Sequence, residues 1–375
     1  MPSSLSRSKP RAAHFLLVPE LLHSPPNRAI IEALLSSGHA VDVYAPGVAD
    51  DPAPYGPDVR THRADYTMRW LTRHLADRRW WSYSCFSGTS EDPLAVVGIL
   101  AALTGRPSFL LVDEIKSGGY RGDSPERWKR LCRWAMRRAR FTIVNDDSRV
   151  ELLRDYAGLP PAAPVLVYPG CFHQPPPADP ELRRELRQRW GLPQDALVIA
   201  SSGALNLTAG ADWLVQTLQE EPDLHAVIQP LAVSPLSLFL LGRLGLESRM
   251  YLQQERLSWQ EAWRSAVAAD IGLAIYTNPA PQFQHMGISS NRLCMFLAMG
   301  VPVIATRQPS FQFLETYDCG VMVDSLAEFK AAVRHIGARL PQMRANCRRC
   351  FEDYIMPADR FPRLQQAIAT LSPST

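Results

Sequence analysis

The chain has 375 residues, more than one ordinary core accommodates and about right for two domains of usual size. Hydrophobic residues make up 46% and charged residues 21%, a balance that excludes a disordered tail or a fibre and supports a buried core. The formal charge of +3 is close to neutral, and although nearly all basic side chains are Arg, no nucleic-acid partner follows from that.

Seven cysteines form no paired framework. Cys347-x-x-Cys350 has no second pair to complete a zinc site, so a reducing, cytoplasmic setting is expected, with no bound metal and no cofactor. The opening MPSSLSRSKPRA lacks the apolar run of a signal peptide, and residues 1–12 are expected to be disordered. The longest apolar stretch, Leu236 to Leu246, is interrupted by Arg243 and reads as a core helix rather than a membrane span.

His14 to Val18 reads as a strand, and Asn27 then caps a helix with apolar Ile30, Ile31, Leu34 and Leu35 that stops at Gly38. Ala40 to Tyr44 follows as a buried strand, which makes a βαβ unit with a parallel sheet. The alternation continues with an apolar run from Val96 to Leu103, a strand from Ser108 to Val112, a helix opened by Ser124-Pro125 and a strand from Phe141 to Val144. Ser148-x-x-Glu151 is a capping box, and Pro164 to Tyr168 is a last strand before the Pro-rich segment 169–177, where a domain boundary is expected.

The theme then repeats. Ala196 to Ala200 is a strand ending in Ser201-Ser202-Gly203, followed by a helix through Trp213, Leu214 and Leu218. Leu224 to Ile228, Met250 to Leu252, Ile271 to Ile275 and Val301 to Ala305 read as strands, with capping boxes at Ser258-x-x-Glu261 and Ser325-x-x-Glu328. The fold class expected is α/β, with two Rossmann-like, doubly wound parallel-sheet domains at 13–178 and 179–355 and a terminal segment 356–375. Ligands of such sheets sit beyond the carboxyl ends of the strands, so a cleft between the two is the expected site.

Three segments carry a family likeness. Asn27 to Tyr44 resembles the first helix and second strand of GT-B glycosyltransferases of the retaining, nucleotide-sugar-dependent group (glycosyltransferase family 4, or group 1). Ser202 to Gly210 falls where that family has its diphosphate-binding loop. Ser289-Ser-Asn-Arg-Leu-Cys-Met-Phe-Leu-Ala-Met-Gly-Val-Pro-Val-Ile-Ala305 is similar to its helix-then-strand signature and is the most specific of the three. The resemblance implies a nucleotide-sugar donor, a saccharide, lipid-linked or natural-product acceptor, a role in polysaccharide biosynthesis, and a C-terminal helix, here Phe361 to Leu371, crossing back to the first domain. It points to Gly203, Asn206, Thr208, Ser289, Ser290, Asn291 and Arg292 as donor-binding residues, and the irregular polar loop from Asn278 to Ile288 adds His285 as a donor to the sugar or else a structural histidine. The chain departs from the family at two places. Gly287 and Met295 stand where two glutamates are usual, and Ala204, Leu205 and Ala209 occupy the region of its basic pair.

A helix beginning at Ser289 or Ser290 presents free amides and a positive dipole end to a diphosphate, and Arg292 adds a charged fork. The same serines also serve to cap a purely structural helix whose Leu293, Phe296 and Leu297 are core. For the chemistry, Asp113 and Glu114 follow a strand at its carboxyl end and are the catalytic candidates; otherwise they pair with Lys116 or Arg121 in a loop. Asp146-Asp147 read as first-turn helix residues, and Glu20 has no supporting neighbour. No Asp-x-Asp occurs, so metal-independent transfer is expected. Two Arg/Trp-rich stretches, Met68 to Trp81 and Arg127 to Arg140, suit either a peripheral contact with anionic lipid or amphipathic helices with core aromatics. A sugar-nucleotide epimerase and a non-catalytic GT-B module that binds a glycan or partner are the other classes compatible with the pattern.

Overall fold

The structure is a computed structural model and describes residues 9–47, 52–115, 126–203, 207–230, 245–246, 248–253, 257, 261–279 and 281–371. The chain divides into two compact units, Met1–Tyr168 with Ala358–Thr375, and Pro169–Pro357.

The first unit is a wholly parallel sheet of seven strands, β1 (Arg11–Phe15), β2 (Ala40–Ala45), β3 (Val59–Arg63), β4 (Tyr83–Thr89), β5 (Ser108–Val112), β6 (Phe141–Val144) and β7 (Val165–Val167), in the order β3-β2-β1-β4-β5-β6-β7. The chain starts at β1, runs outward on one side, and returns to start again at β4. All residues of β2 and β4 are buried, as expected of strands covered on both faces. β1 begins at Arg11, inside the stretch expected to be disordered, because the Arg11 guanidinium is anchored on Asp42 of β2 (Nε to Oδ2 2.9 Å). The helix Glu91–Thr104 covers the apolar run at 96–103 and packs against Glu126–Arg138. The C-terminal helix Arg360–Ala369 packs on Pro25–Ser36, with Gln365 Nε2 donating to Ser36 Oγ at 2.9 Å.

The second unit is a parallel sheet of six strands, β8 (Leu197–Gly203), β9 (Leu224–Pro230), β10 (Met250–Leu252), β11 (Ile271–Ala274), β12 (Val303–Thr306) and β13 (Gly320–Val323), in the order β10-β9-β8-β11-β12-β13. The Pro-rich segment after residue 168 belongs to this unit, where Gly170 N donates to Ile288 O at 2.9 Å.

Two caps differ from expectation. Ser148 has helical backbone and no capping bond, because its hydroxyl and its amide both donate to Asp146 Oδ1 (2.5 and 2.8 Å). Asn27 lies inside the first helix, which starts at Pro25 after Ser24. The Ser325 box forms, with Ser325 Oγ accepting from Glu328 N at 3.3 Å. The Ser258 box and most of the apolar stretch 236–246 lie outside the described residues. Among those described, no helix is long and apolar enough to cross a membrane, and no cluster of three or more His, Cys, Asp or Glu is placed to hold a metal.

Asp270, at the amino end of β11, ties the second unit together. Its buried carboxylate accepts from Arg183 (2.6 Å), Arg187 (2.6 Å) and Arg344 (2.7 Å) and from the Val198 amide (2.9 Å). Arg183 and Arg187 lie on the helix Pro180–Arg189, Arg344 on Leu326–Cys350 and Val198 on β8, so one side chain joins two helices to two central strands. Burial disfavours its ionised form, but attraction from Arg183 and Arg187 outweighs this and holds the carboxyl below its ordinary value. Asp270→Ala leaves three guanidinium groups without their partner and is expected to cost about 3–5 kcal/mol in denaturant unfolding. Because the folded pKa is depressed, the wild type holds this stability above the unfolded carboxylate value, near pH 4, and loses it below. An Asp270→Ala protein as stable as the wild type at neutral pH contradicts the assignment.

Candidate functional site

The second sheet changes direction at β8. From there the chain runs outward to β9 and β10, then returns to the other side of β8 as β11. At such a point the connections leave on opposite faces and open a crevice at the carboxyl ends of the strands. β8 ends at Gly203, whose φ of +94° suits a residue without a side chain.

Arg292 reaches this point. Its guanidinium carbon lies 4.0 Å from where a Cβ on Gly203 would be. The guanidinium sits over the Tyr276 ring, 4.5 Å from its centroid, and Nε donates to Tyr276 Oη at 2.9 Å. Tyr276 is held in turn by Ser290 Oγ (2.5 Å) and by Thr306 Oγ1, which accepts from the Tyr276 amide at 2.6 Å. Arg292 Nη1 is buried with no hydrogen-bond partner, and Arg292 makes no ion pair among the described residues. A desolvated cationic donor without an acceptor is costly, and an anion placed there removes the cost.

Helix Asn291–Ala298 supplies more donors. Ser290 is its N-cap and accepts from Leu293 N at 3.2 Å, which leaves the amides of Asn291 and Arg292 without intrahelical acceptors at the positive end of the dipole. Gly170 packs against this end. A Cβ there would overlap Asn291 Oδ1 and lie 2.6 Å from Ser289 O. The preceding turn is fixed by Ser310 Oγ, which takes the Gly287 amide at 3.1 Å, and by Gln308 Oε1, which takes that of Met286 at 3.1 Å.

Of the residues named from sequence, Gly203, Ser290, Asn291 and Arg292 come together here. The Ser289 hydroxyl is turned onto Met286 O, and the buried Ser290 hydroxyl is committed to capping and to Tyr276. Thr208 is exposed beyond β8, its carbonyl accepting from Thr277 N at 3.0 Å. His285 is half-buried after the short helix Pro281–Gln284, and Asn206 lies outside the described residues. Sequence reading missed Tyr276, Thr306 and Gly170. Tyr276 follows a recognised strand by one residue, and an aromatic there was the available signal.

In the first unit Asp113 follows β5. Its carboxylate accepts from Ser90 Oγ (2.9 and 3.1 Å), and its carbonyl from the buried Arg149 (2.5 Å). Burial, and next the neighbouring Glu114, push the Asp113 carboxyl up to about 6, partly offset by the Ser90 hydroxyl. Glu114 is exposed. Asp146 serves as the cap-like acceptor described above, so it belongs to the helix start. The first helix of this unit opens with Pro25-Pro26. Two of the amides that a phosphate uses at a helix N-terminus are therefore absent there.

No protein-family model matches the chain, and no curated protein does. Solved structures match it over nearly its full length. A glycosyltransferase from Rickettsia africae is 12% identical with a TM-score of 0.74, covering 98% of this chain and 100% of that one. HepE from Anabaena, in complex with UDP, is 15% identical with a TM-score of 0.72, covering 96% and 98%. The fold is GT-B. A putative UDP-N-acetylglucosamine 2-epimerase from Listeria monocytogenes also shares it, at 12% identity and a TM-score of 0.63, covering 97% and 96%. GT-B architecture thus accommodates both transfer and epimerisation, and the side chains of the site must discriminate between them.

Proposed function

We propose that this chain is a glycosyltransferase that takes a sugar from a nucleoside-diphosphate donor and passes it to a saccharide, lipid-linked or natural-product acceptor. The buried Arg292 Nη1, without a hydrogen-bond partner at the end of β8, is the observation that carries this reading. Cleaving the bond between sugar and diphosphate builds positive charge on the anomeric carbon and negative charge on the departing phosphate oxygens. Arg292 and the Asn291 and Arg292 amides are the groups proposed to bind that leaving group, and their positive charge and dipole would take the part of a divalent cation. Asp113 is the carboxylate proposed to accept the proton of the acceptor hydroxyl, since a group titrating near 6 is ionised at neutral pH and still basic.

An epimerase places carboxylates around the donor sugar. Among the described residues, the side chains bonded around Arg292 and Tyr276 are those of Ser290 and Thr306, and Gly287 and Met295 carry no acid, so transfer is the favoured reading.

A lipid-linked acceptor has support of its own. Helix Glu126–Arg138 buries Trp128, Cys132, Ala135 and Met136, while Arg127, Arg130 and Arg137 flank a shallow apolar groove with Leu131 and Trp134. This combination suits an anionic lipid surface. The Met68–Trp81 stretch is less suited, because Trp80 is fully buried and donates to His74 O (2.6 Å).

Thermal unfolding in the presence of UDP, GDP, dTDP or CMP, with a chelator in the buffer, tests the donor site. A diphosphate at about 100 times its Kd is expected to add about 2.7 kcal/mol of stability. Arg292→Ala is expected to bind about 10- to 100-fold more weakly. If no nucleotide stabilises the wild type, the transferase reading fails and a non-catalytic GT-B module takes its place. Vesicle sedimentation tests the lipid contact: the protein is expected to pellet with phosphatidylglycerol-containing vesicles at low salt, and the Arg127→Glu/Arg130→Glu variant to remain in solution. Equal pelleting with neutral vesicles contradicts it.

A further inference from the structure

At the end of β4, Ser90 occupies a position that suits it badly. Its backbone lies at φ +70°, ψ 173°, a region that glycine enters freely and a residue with a Cβ enters at a cost. It is also the N-cap of helix Glu91–Thr104, where a serine hydroxyl ordinarily accepts from an amide of the first turn. Here the hydroxyl makes no capping bond. Glycine would be easier for the backbone and nearly as good as a cap, so neither role explains a serine.

The hydroxyl is spent on Asp113. Ser90 Oγ lies 2.9 Å from Oδ1 and 3.1 Å from Oδ2 of that carboxylate. The same turn is fixed at two further points. The Ser90 amide donates to Leu111 O (3.3 Å) on the strand that ends just before Asp113, and Arg149, buried at the start of helix Arg149–Ala157, donates to the Asp113 carbonyl (2.5 Å). The charged groups acting on Asp113 are Glu114 and Arg149, and neither side chain bonds its carboxylate; the Glu114 amide donates to Oδ1 at 3.1 Å, which leaves Ser90 as the one side chain among the described residues that donates to it. We propose that Ser90 is a positioning residue, held in a strained backbone conformation so that its hydroxyl orients the Asp113 carboxylate and favours its ionised form.

This deepens the proposed role of Asp113 as proton acceptor and rests on it. The test compares wild type with Ser90→Gly and Ser90→Ala. Asp113 is titrated directly by carboxyl carbon NMR, with Asp113→Asn to assign the signal, and the pH dependence of kcat/KM is measured in parallel. Ser90→Gly is expected to unfold at the same or a higher temperature than wild type while its Asp113 titrates about one pH unit higher, since the donor to the charged form is gone. The acid limb of kcat/KM is expected to move by the same amount. Ser90→Ala, which loses the hydroxyl and keeps the strained Cβ, is expected to show the same titration shift with no gain in stability.

An Asp113 titration unchanged in both variants overturns the proposal, as does a Ser90→Gly protein less stable than Ser90→Ala. If the titration moves and the acid limb does not, Ser90 still sets the state of Asp113. In that case the role of Asp113 as proton acceptor fails.

Discussion

A guanidinium parked on a tyrosine ring, with one donor buried and unanswered, is the constraint around which the second unit is arranged. Arg292 lies beside Gly203 because the strand that starts this sheet must end without a side chain for anything to approach its carboxyl end. Tyr276 gives the cation a face to rest on and a hydroxyl for Nε. Ser290 and Thr306 hold Tyr276, and Ser290 also caps the helix that carries Arg292. Strand end, helix cap and cation therefore form one connected set of bonds. Nη1 is left out of it, buried on a guanidinium that lies by Gly203 at the carboxyl end of β8, the end of the strands beyond which sheets of this winding bind ligands.

The opposite ends of the same strands are closed by a different device. Asp270 satisfies three arginines at once, and Arg187 further donates to the carbonyls of Ala268, Gln194 and Ala196. Every charge there has a partner. Within one sheet, a saturated cluster at the amino ends contrasts with an arginine at the carboxyl ends that keeps one buried donor without an acceptor. The first unit repeats the winding with different chemistry: prolines remove helix amides, and a serine in a strained conformation holds a carboxylate with a raised pKa.

Much of the architecture was legible in the residues because buried parallel strands are continuous apolar runs. β2, β5, β6 and β9 announce themselves, and the helix signature at Ser290 combines a cap, an apolar stripe and a Gly-Val-Pro stop. β3 was hidden because Val-Arg-Thr-His-Arg is an edge strand with polar side chains. β4, Tyr-Ser-Cys-Phe-Ser-Gly-Thr, was hidden because its buried hydroxyls are satisfied by distant partners such as His14, which meets Ser87 Oγ at 2.8 Å. β13, Gly-Val-Met-Val, was not named from the sequence either. Arg292 could be named from sequence because a helix N-terminus with a basic second residue is a local pattern. Gly170 and Ser90 could not, because their importance lies in what they touch far along the chain: a helix end and a carboxylate. The Trp80 stretch stayed open between surface and core for the same reason, since only the packing around its indole shows that Trp80 is buried.

A crystal structure with the most strongly stabilising of UDP, GDP and dTDP tests the central claim most directly. The account predicts the diphosphate at the end of β8, with oxygens within hydrogen-bonding distance of Arg292 Nη1 and of the Asn291 and Arg292 amides. Density for the diphosphate elsewhere, with Arg292 still resting on Tyr276 and its Nη1 unanswered, would contradict it.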